Sequence, residues 1–142
     1  MADDGGLARF QSRMQAIPRA ARQAVKPALV KAAEDVANLQ RALAPEKTGD
    51  LKASITVTGP GEATPPYSQP GGSMVAPPNT ALITVGNTDV RYAHLVEYGH
   101  SGGFNGSTVP PHPFFWPGLR LGRKRAEAAI KRAIRKAIKE AK

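Results

Sequence analysis

The sequence predicts an α+β fold, and three observations predict it. Apolar residues recur at steps of three and four near both ends of the 142-residue chain, a period-two alternation lies between them, and glycine (14) and proline (13) are abundant throughout. Helical patterns flanking short strand patterns, with this much turn-forming residue, describe a small helix-and-sheet framework carrying a large share of loop. The length suits a single domain, 1–142, with a single core.

Residues 1–16 are read as an N-terminal arm. The opening MADDGGLARF is acidic and then mixed rather than basic and then apolar, and no run of 18 apolar residues follows, so neither a secretory signal nor a membrane span is expected. On this reading the mature chain begins near Met1, is soluble and meets no membrane. Residues 17–44 are dense in good helix formers, and Val25, Leu29, Ala32, Val36, Leu39 and Leu43 draw an apolar stripe along one side. Pro18 fits a helix start. Pro27 falls inside the pattern, where its missing N–H and its ring oppose the helix, so a kink near Gln23 to Pro27, or a helix that begins only there, is expected.

Pro45 stops the helix and Thr48-Gly49-Asp50 reads as a turn. In LKASITVTG (51–59), Leu51, Ala53, Ile55 and Val57 alternate with polar residues, the signature of a strand with one wet face, and ALITVGN (81–87) supplies a second strand. These belong to a unit, 51–99, that includes the proline- and glycine-rich loop 59–80. So long a loop reads as mobile or as an arm ordered by a partner, and excising 60–79 is expected to leave a folded monomer that no longer assembles. In YAHLVEYGH, about 100° per residue puts Tyr92, Leu95 and Val96 on one face of a short helix with His94 and Glu97 opposite, and Gly99 ends it in a left-handed conformation. The segment 109–118 holds Pro110, Pro111, Pro113 and Pro117 around Phe114, Phe115 and Trp116. It is read as an extended anchor that forbids helix before Pro117. Residues 119–142 form the last helix, with Ile130, Ile134 and Ile138 as a narrow seam beside Ala126, Ala133, Ala137 and Ala141.

The charge of +9 is concentrated at the end: residues 1–118 carry ten Lys and Arg against nine Asp and Glu, and 119–142 carry ten against two. With no cysteine, disulfides, thiolate zinc sites and cysteine nucleophiles are excluded. His94, Glu97, His100 and His112 are the natural candidates for a zinc-type site, but the HExxH spacing is absent and helical geometry does not make them converge. Ser54, Ser73, Ser101 and Ser107 sit in no GxSxG elbow, and GGFNGS and GPGEAT lack the glycine spacing of phosphate-binding loops. No enzyme, cofactor or metal is expected.

For the basic helix three readings compete. It can be a solvated face whose Lys and Arg stems cover the seam, a nucleic-acid contact through Arg123, Lys124, Arg125, Lys131, Arg132, Arg135 and Lys136, or a membrane-surface helix, which the lack of Trp and Phe disfavours. A small, free-standing basic nucleic-acid-binding protein is the alternative to a structural one.

The order AP…TGDLKASITV (44–57), ITVGNTDVRYAHLVEYG (83–99) and PPHPFFWPGL (110–119), followed by a charged helix, resembles the gp-ten-like head–tail joining and tail-completion proteins of long-tailed bacteriophages. The residues that carry the resemblance are Ala44, Pro45, Thr48, Gly49, Leu51, Tyr92, Ala93, Val96, Glu97, Tyr98, Gly99, Pro113, Phe114, Pro117 and Leu119, and it spans roughly residues 25 to 140. In that family Thr-Gly-x-Leu begins a strand, Tyr-Ala-x-x-Val-Glu-(Tyr/Phe)-Gly forms a short helix, and Pro-Phe-x-x-Pro opens the terminal helix. Here loop 59–80 is richer in proline, and 100–108 is longer and richer in glycine. The resemblance implies a virion structural protein of the neck, or its counterpart in a phage-derived particle such as a gene transfer agent, assembled in the bacterial host cytoplasm. It implies a ring of six copies whose partners are portal-side, neck, and tail-tube or terminator proteins, with DNA in the channel. On it, His94, Glu97, Tyr67 and Met74 are candidate subunit-interface residues, and Tyr92, Phe114, Phe115 and Trp116 are structural anchors.

Overall fold

A computed structural model describes residues 7–9, 12, 19–45, 49–99, 101 and 108–140. The fold is α+β. The elements, in order, are α1 (Arg19–Leu43), α2 (Asp50–Ala53), β1 (Thr56–Thr58), β2 (Leu82–Thr84), α3 (Ala93–Tyr98) and α4 (Phe115–Glu140). The arm 1–16 falls mostly outside the described residues, as do Thr48, His100 and Ala141.

α1 and α4 pack antiparallel: Gln40 near the end of α1 meets Gly118 at the start of α4, Val36 meets Gly122, and Val25 and Leu29 share a cluster with Ala137. The contact is close because α4 presents two glycines one turn apart. A Cβ built on Gly118 would lie 2.5 Å from Gln40 Cγ and 2.8 Å from its Cα, and one on Gly122 would lie 2.9 Å from Leu39 Cδ1. Backbone-to-backbone approach of this kind needs small residues. Helix α1 runs unbroken through Pro27 rather than starting there. Gln23 and Pro27 are both exposed, so water can take up the carbonyl that the proline leaves unbonded. The expected stripe holds for Val25, Leu29, Ala32 and Val36 and then rotates onto Ala37, Gln40 and Ala44, leaving Leu39 and Leu43 out.

The segment 51–59 is the clearest departure from expectation. Gly49 takes a left-handed conformation (φ 80°, ψ −12°), which turns the chain into the single helical turn α2; the strand begins only at Thr56. Leu51 and Ile55 are still buried while Ala53 is exposed, because a four-residue step on a helical turn also returns to the same face. β1 and β2 pair antiparallel with Val57 opposite Ile83. Arg41 ties this sheet to α1, donating from Nη2 to the carbonyl of Ile55 at 2.7 Å.

The proline-rich stretch is not a free arm. Ala63 pairs with Val75, Thr64 N–H reaches the Met74 carbonyl and Ala76 N–H the Glu62 carbonyl, both at 2.8 Å, and the apex returns so that Gln69 and Val85 exchange both backbone hydrogen bonds. Every residue donating in these pairs is a non-proline; the prolines stand at the bends between them, where no donor is required. Ser68, Thr64 and Ala76 are buried. Excising 60–79 would therefore remove the buried Thr64, Ser68 and Ala76 together with the Gln69–Val85 pairing.

α4 begins at Phe115, so Pro117 lies in its first turn, where an N–H has no intrahelical acceptor and proline is tolerated. Helix precedes Pro117 by two residues after all.

Candidate assembly interface

The joint between α3 and α4 is organised by Glu97. An extended Val-Pro-Pro-His-Pro run leads into α4 with no Ser, Thr, Asp or Asn immediately before Phe115 to cap it. Glu97 supplies the missing acceptor from seventeen residues away: Oε2 accepts from the N–H groups of Phe114 (2.8 Å) and Phe115 (3.0 Å), and Oε1 from that of Trp116 (3.2 Å). A carboxylate at the positive end of the helix dipole forms charge-assisted hydrogen bonds there. Two neighbouring contacts fix the same joint. His112 N–H donates to the Val96 carbonyl at 2.8 Å, and Gly99 (φ 71°, ψ 174°) lies so close to the incoming chain that a Cβ would meet Val109 O at 2.6 Å. Its φ is positive as expected, but the extended ψ is a glycine-only conformation rather than the left-handed helical one.

The expected orientation of α3 is therefore rotated. Ala93, Val96 and Glu97 turn inward and Tyr92, His94 and Leu95 outward. Glu97 is 5% exposed, so the carboxylate expected to face a neighbouring subunit is occupied inside its own chain. The uncapped helix start at Phe115 is the sequence signal that could have placed it.

Of the four expected anchors, Phe114 and Phe115 are buried with Ile55, Leu51 and Val85. Trp116 and Tyr92 are not. The Trp116 ring sits edge-on to Phe115 at 5.1 Å and donates from Nε1 to Tyr98 Oη at 2.7 Å, forming an outward shelf with Tyr98, which is 65% exposed. Beside it Gln69, Pro70, His94 and Glu97 help to line a crevice of about 70 Å³, far smaller than the roughly 300–1,000 Å³ of small-molecule sites.

The other expected interface residues are exposed. Met74 and Val75 lie on the returning arm of the hairpin, opposite Thr64 and Ala63, Val75 at 62% exposure. Tyr67 holds a positive φ of 61° with the Arg91 guanidinium 3.8 Å above its ring. A second set of exposed apolar residues consists of Leu39 and Leu43 on α1, which the expected stripe had placed on its apolar side, and Leu121 (68% exposed) on α4, at the same end of the helix pair. The seven residues proposed to contact DNA are all exposed on α4, and Arg123 is paired with Glu127 at 2.9 Å. His112 is exposed, and among the described residues no three His, Asp or Glu side chains gather as metal ligands would.

Comparison with protein-family models matches residues 8–99 to the family described as "Bacteriophage HK97-gp10, putative tail-component". The chain belongs to this family. The match covers well over half of the sequence and contains α1, the sheet, the hairpin and α3 with Glu97. It ends at Gly99, short of the 110–119 motif and of α4, so the family segment is shorter at its end than the resemblance implied. No curated protein and no solved structure gives a match. Membership makes the protein a structural tail component of bacteriophage type with its place in the virion. Among the described residues no helix is long and apolar enough to cross a membrane.

Proposed function

We propose that copies of this chain close into a ring of six at the head–tail junction of a bacteriophage, or of a phage-derived particle such as a gene transfer agent. The ring joins the portal-side connectors to the tail tube or its terminator and makes or breaks no covalent bond. Family membership supports the setting. The observation that carries the ring is the pair of exposed apolar patches on different elements, Met74 and Val75 on the hairpin, and Leu39, Leu43 and Leu121 on the helix pair. A closed ring joins one surface of each copy to a different surface of the next, so two dissimilar sticky patches suit it. His94, Tyr67 and the Trp116–Tyr98 shelf are further surface available to a neighbour, and assembly takes place in the host cytoplasm.

Light scattering coupled to size exclusion, followed by electron microscopy of the purified protein and of particles, tests this. Six-membered rings, found also at the junction, are the expected result. A monomer at every concentration, absent from mature particles, would rule the reading out.

A further inference from the structure

The exposed side of α4 has a charge pattern that surrounds Leu121 and whose Lys and Arg the subunit contacts above do not use. At about 100° per residue, eight of its nine Lys and Arg, from Arg120 to Lys139, fall within one arc of about 160°, across from Ala126 and Ala137 on the packed side. Both of the helix's carboxylates lie outside that arc. Glu127 stands at its margin and pairs with Arg123, the one cation outside it; Glu140 falls toward the packed side. Among the described residues no carboxylate is paired with the eight. Over twenty residues the stripe is about 30 Å long, the length of roughly nine base pairs of duplex at 3.4 Å each.

We propose that this stripe is a contact surface for the phosphate backbone of duplex DNA passing through the ring. The proposal rests on the ring reading for its setting. The composition favours the partner: eight Lys and Arg, with Ala128, Leu121 and Ile138 among them and no aromatic, make the arc unlike a protein-binding surface, from which lysine is depleted and in which aromatics are enriched. It is also unlike an interfacial membrane helix, which needs a broad apolar face against the lipid. Phosphate contact needs neither, since it draws on counterion release and carries no base sequence. The rest of the molecule agrees in sign. The segments 19–43 and 115–140 hold fourteen Lys and Arg against four Asp and Glu, a balance of +10, whereas 44–114 holds three against five, a balance of −2. Negatively charged phosphates are drawn to the helix pair and not to the sheet side.

Fluorescence anisotropy of a labelled duplex of about 30 base pairs and arbitrary sequence, titrated with the full chain between about 50 and 200 mM salt, tests the proposal. The wild type should bind at low salt and weaken about a hundredfold across that range. Lys124→Gln, Lys131→Gln and Arg135→Gln together should weaken low-salt binding at least about tenfold and flatten the salt slope by about 2 to 3. Arg123→Gln, outside the arc, should change affinity by less than about twofold. Absence of low-salt binding, an unchanged slope in the triple variant, or tighter binding to polyglutamate or to anionic vesicles than to DNA would each overturn it. Micrographs separate the two readings. Rings that persist in the triple variant while DNA binding falls support the stripe; rings lost in that variant alone would make the stripe a subunit contact and refute the proposal. DNA binding by a wild type that never forms rings would remove the junction reading and leave the phosphate contact standing.

Discussion

The helix pair and the sheet side of this molecule are held together by different physics. Between α1 and α4 the contact is mainly one of shape: alanines and two glycines let the backbones approach, with a single buried hydrogen bond, from Gln40 Nε2 to the Phe115 carbonyl at 2.9 Å, beside them. On the sheet side the key contacts are buried polar ones. Glu97 caps α4, Ser54 Oγ accepts from Gly86 N–H at 3.1 Å while donating to the Leu51 carbonyl at 2.7 Å, and Thr64 spans the hairpin. A shape-held contact fails when atoms are added and a hydrogen-bonded one fails when an acceptor is removed, so the two regions answer to opposite kinds of substitution.

The largest effect should come from filling the notch. Gly118→Val places atoms where Gln40 already stands and should cost about 3 kcal/mol or more in a urea unfolding curve, despite valine's better helix propensity. A gain in stability would show that the helices can separate freely. Glu97→Ala removes three hydrogen bonds from the start of α4 and should cost about 2–3 kcal/mol, with Glu97→Gln losing roughly half as much because one oxygen and no charge remain. Equal losses for both would mean that the carboxylate charge, absent from both variants, is decisive rather than the geometry that glutamine keeps. Ser54→Ala leaves Gly86 N–H buried without its acceptor and should cost about 1–2 kcal/mol by the same measurement. Least perturbing to the fold should be Val75→Ser and Leu121→Ser, each within about 0.5 kcal/mol of wild type yet shifting light-scattering mass toward monomer. If mass is unchanged in both, those patches are not the seams between copies.

Legibility in the sequence followed the same division. α1 and α4 were readable because a 3.6-residue period over some 25 residues repeats the same signal many times, and even Pro27 did not end it. The glycine notch escaped the reading because Gly118 fell in the extended anchor 109–118 and Gly122 in the last helix, whose seam was drawn from isoleucines and alanines rather than from a missing side chain. The 51–59 segment misled because Leu51 and Ile55 are four apart, a separation that strand and helix periods both satisfy. The hairpin was hidden because its pairing rests on single residues such as Ala63, Gln69 and Val75, too short for any period. Glu97 was misplaced for a different reason: the wheel treats a carboxylate as an outward residue, and the demand for it arose at a helix start seventeen positions on.

The paired glycines also govern how the two long helices respond to being pulled along their axes. If α4 slipped by four residues one way, Phe114 would come to the place of Gly118 opposite Gln40, and no room exists there for a ring. Slipping the other way would bring Gly122 opposite Gln40 and Ala126 against Val36 and Leu39, a milder collision. The joint thus resembles a ratchet with one steep and one shallow tooth, and displacing α4 along its axis would meet unequal resistance in the two directions.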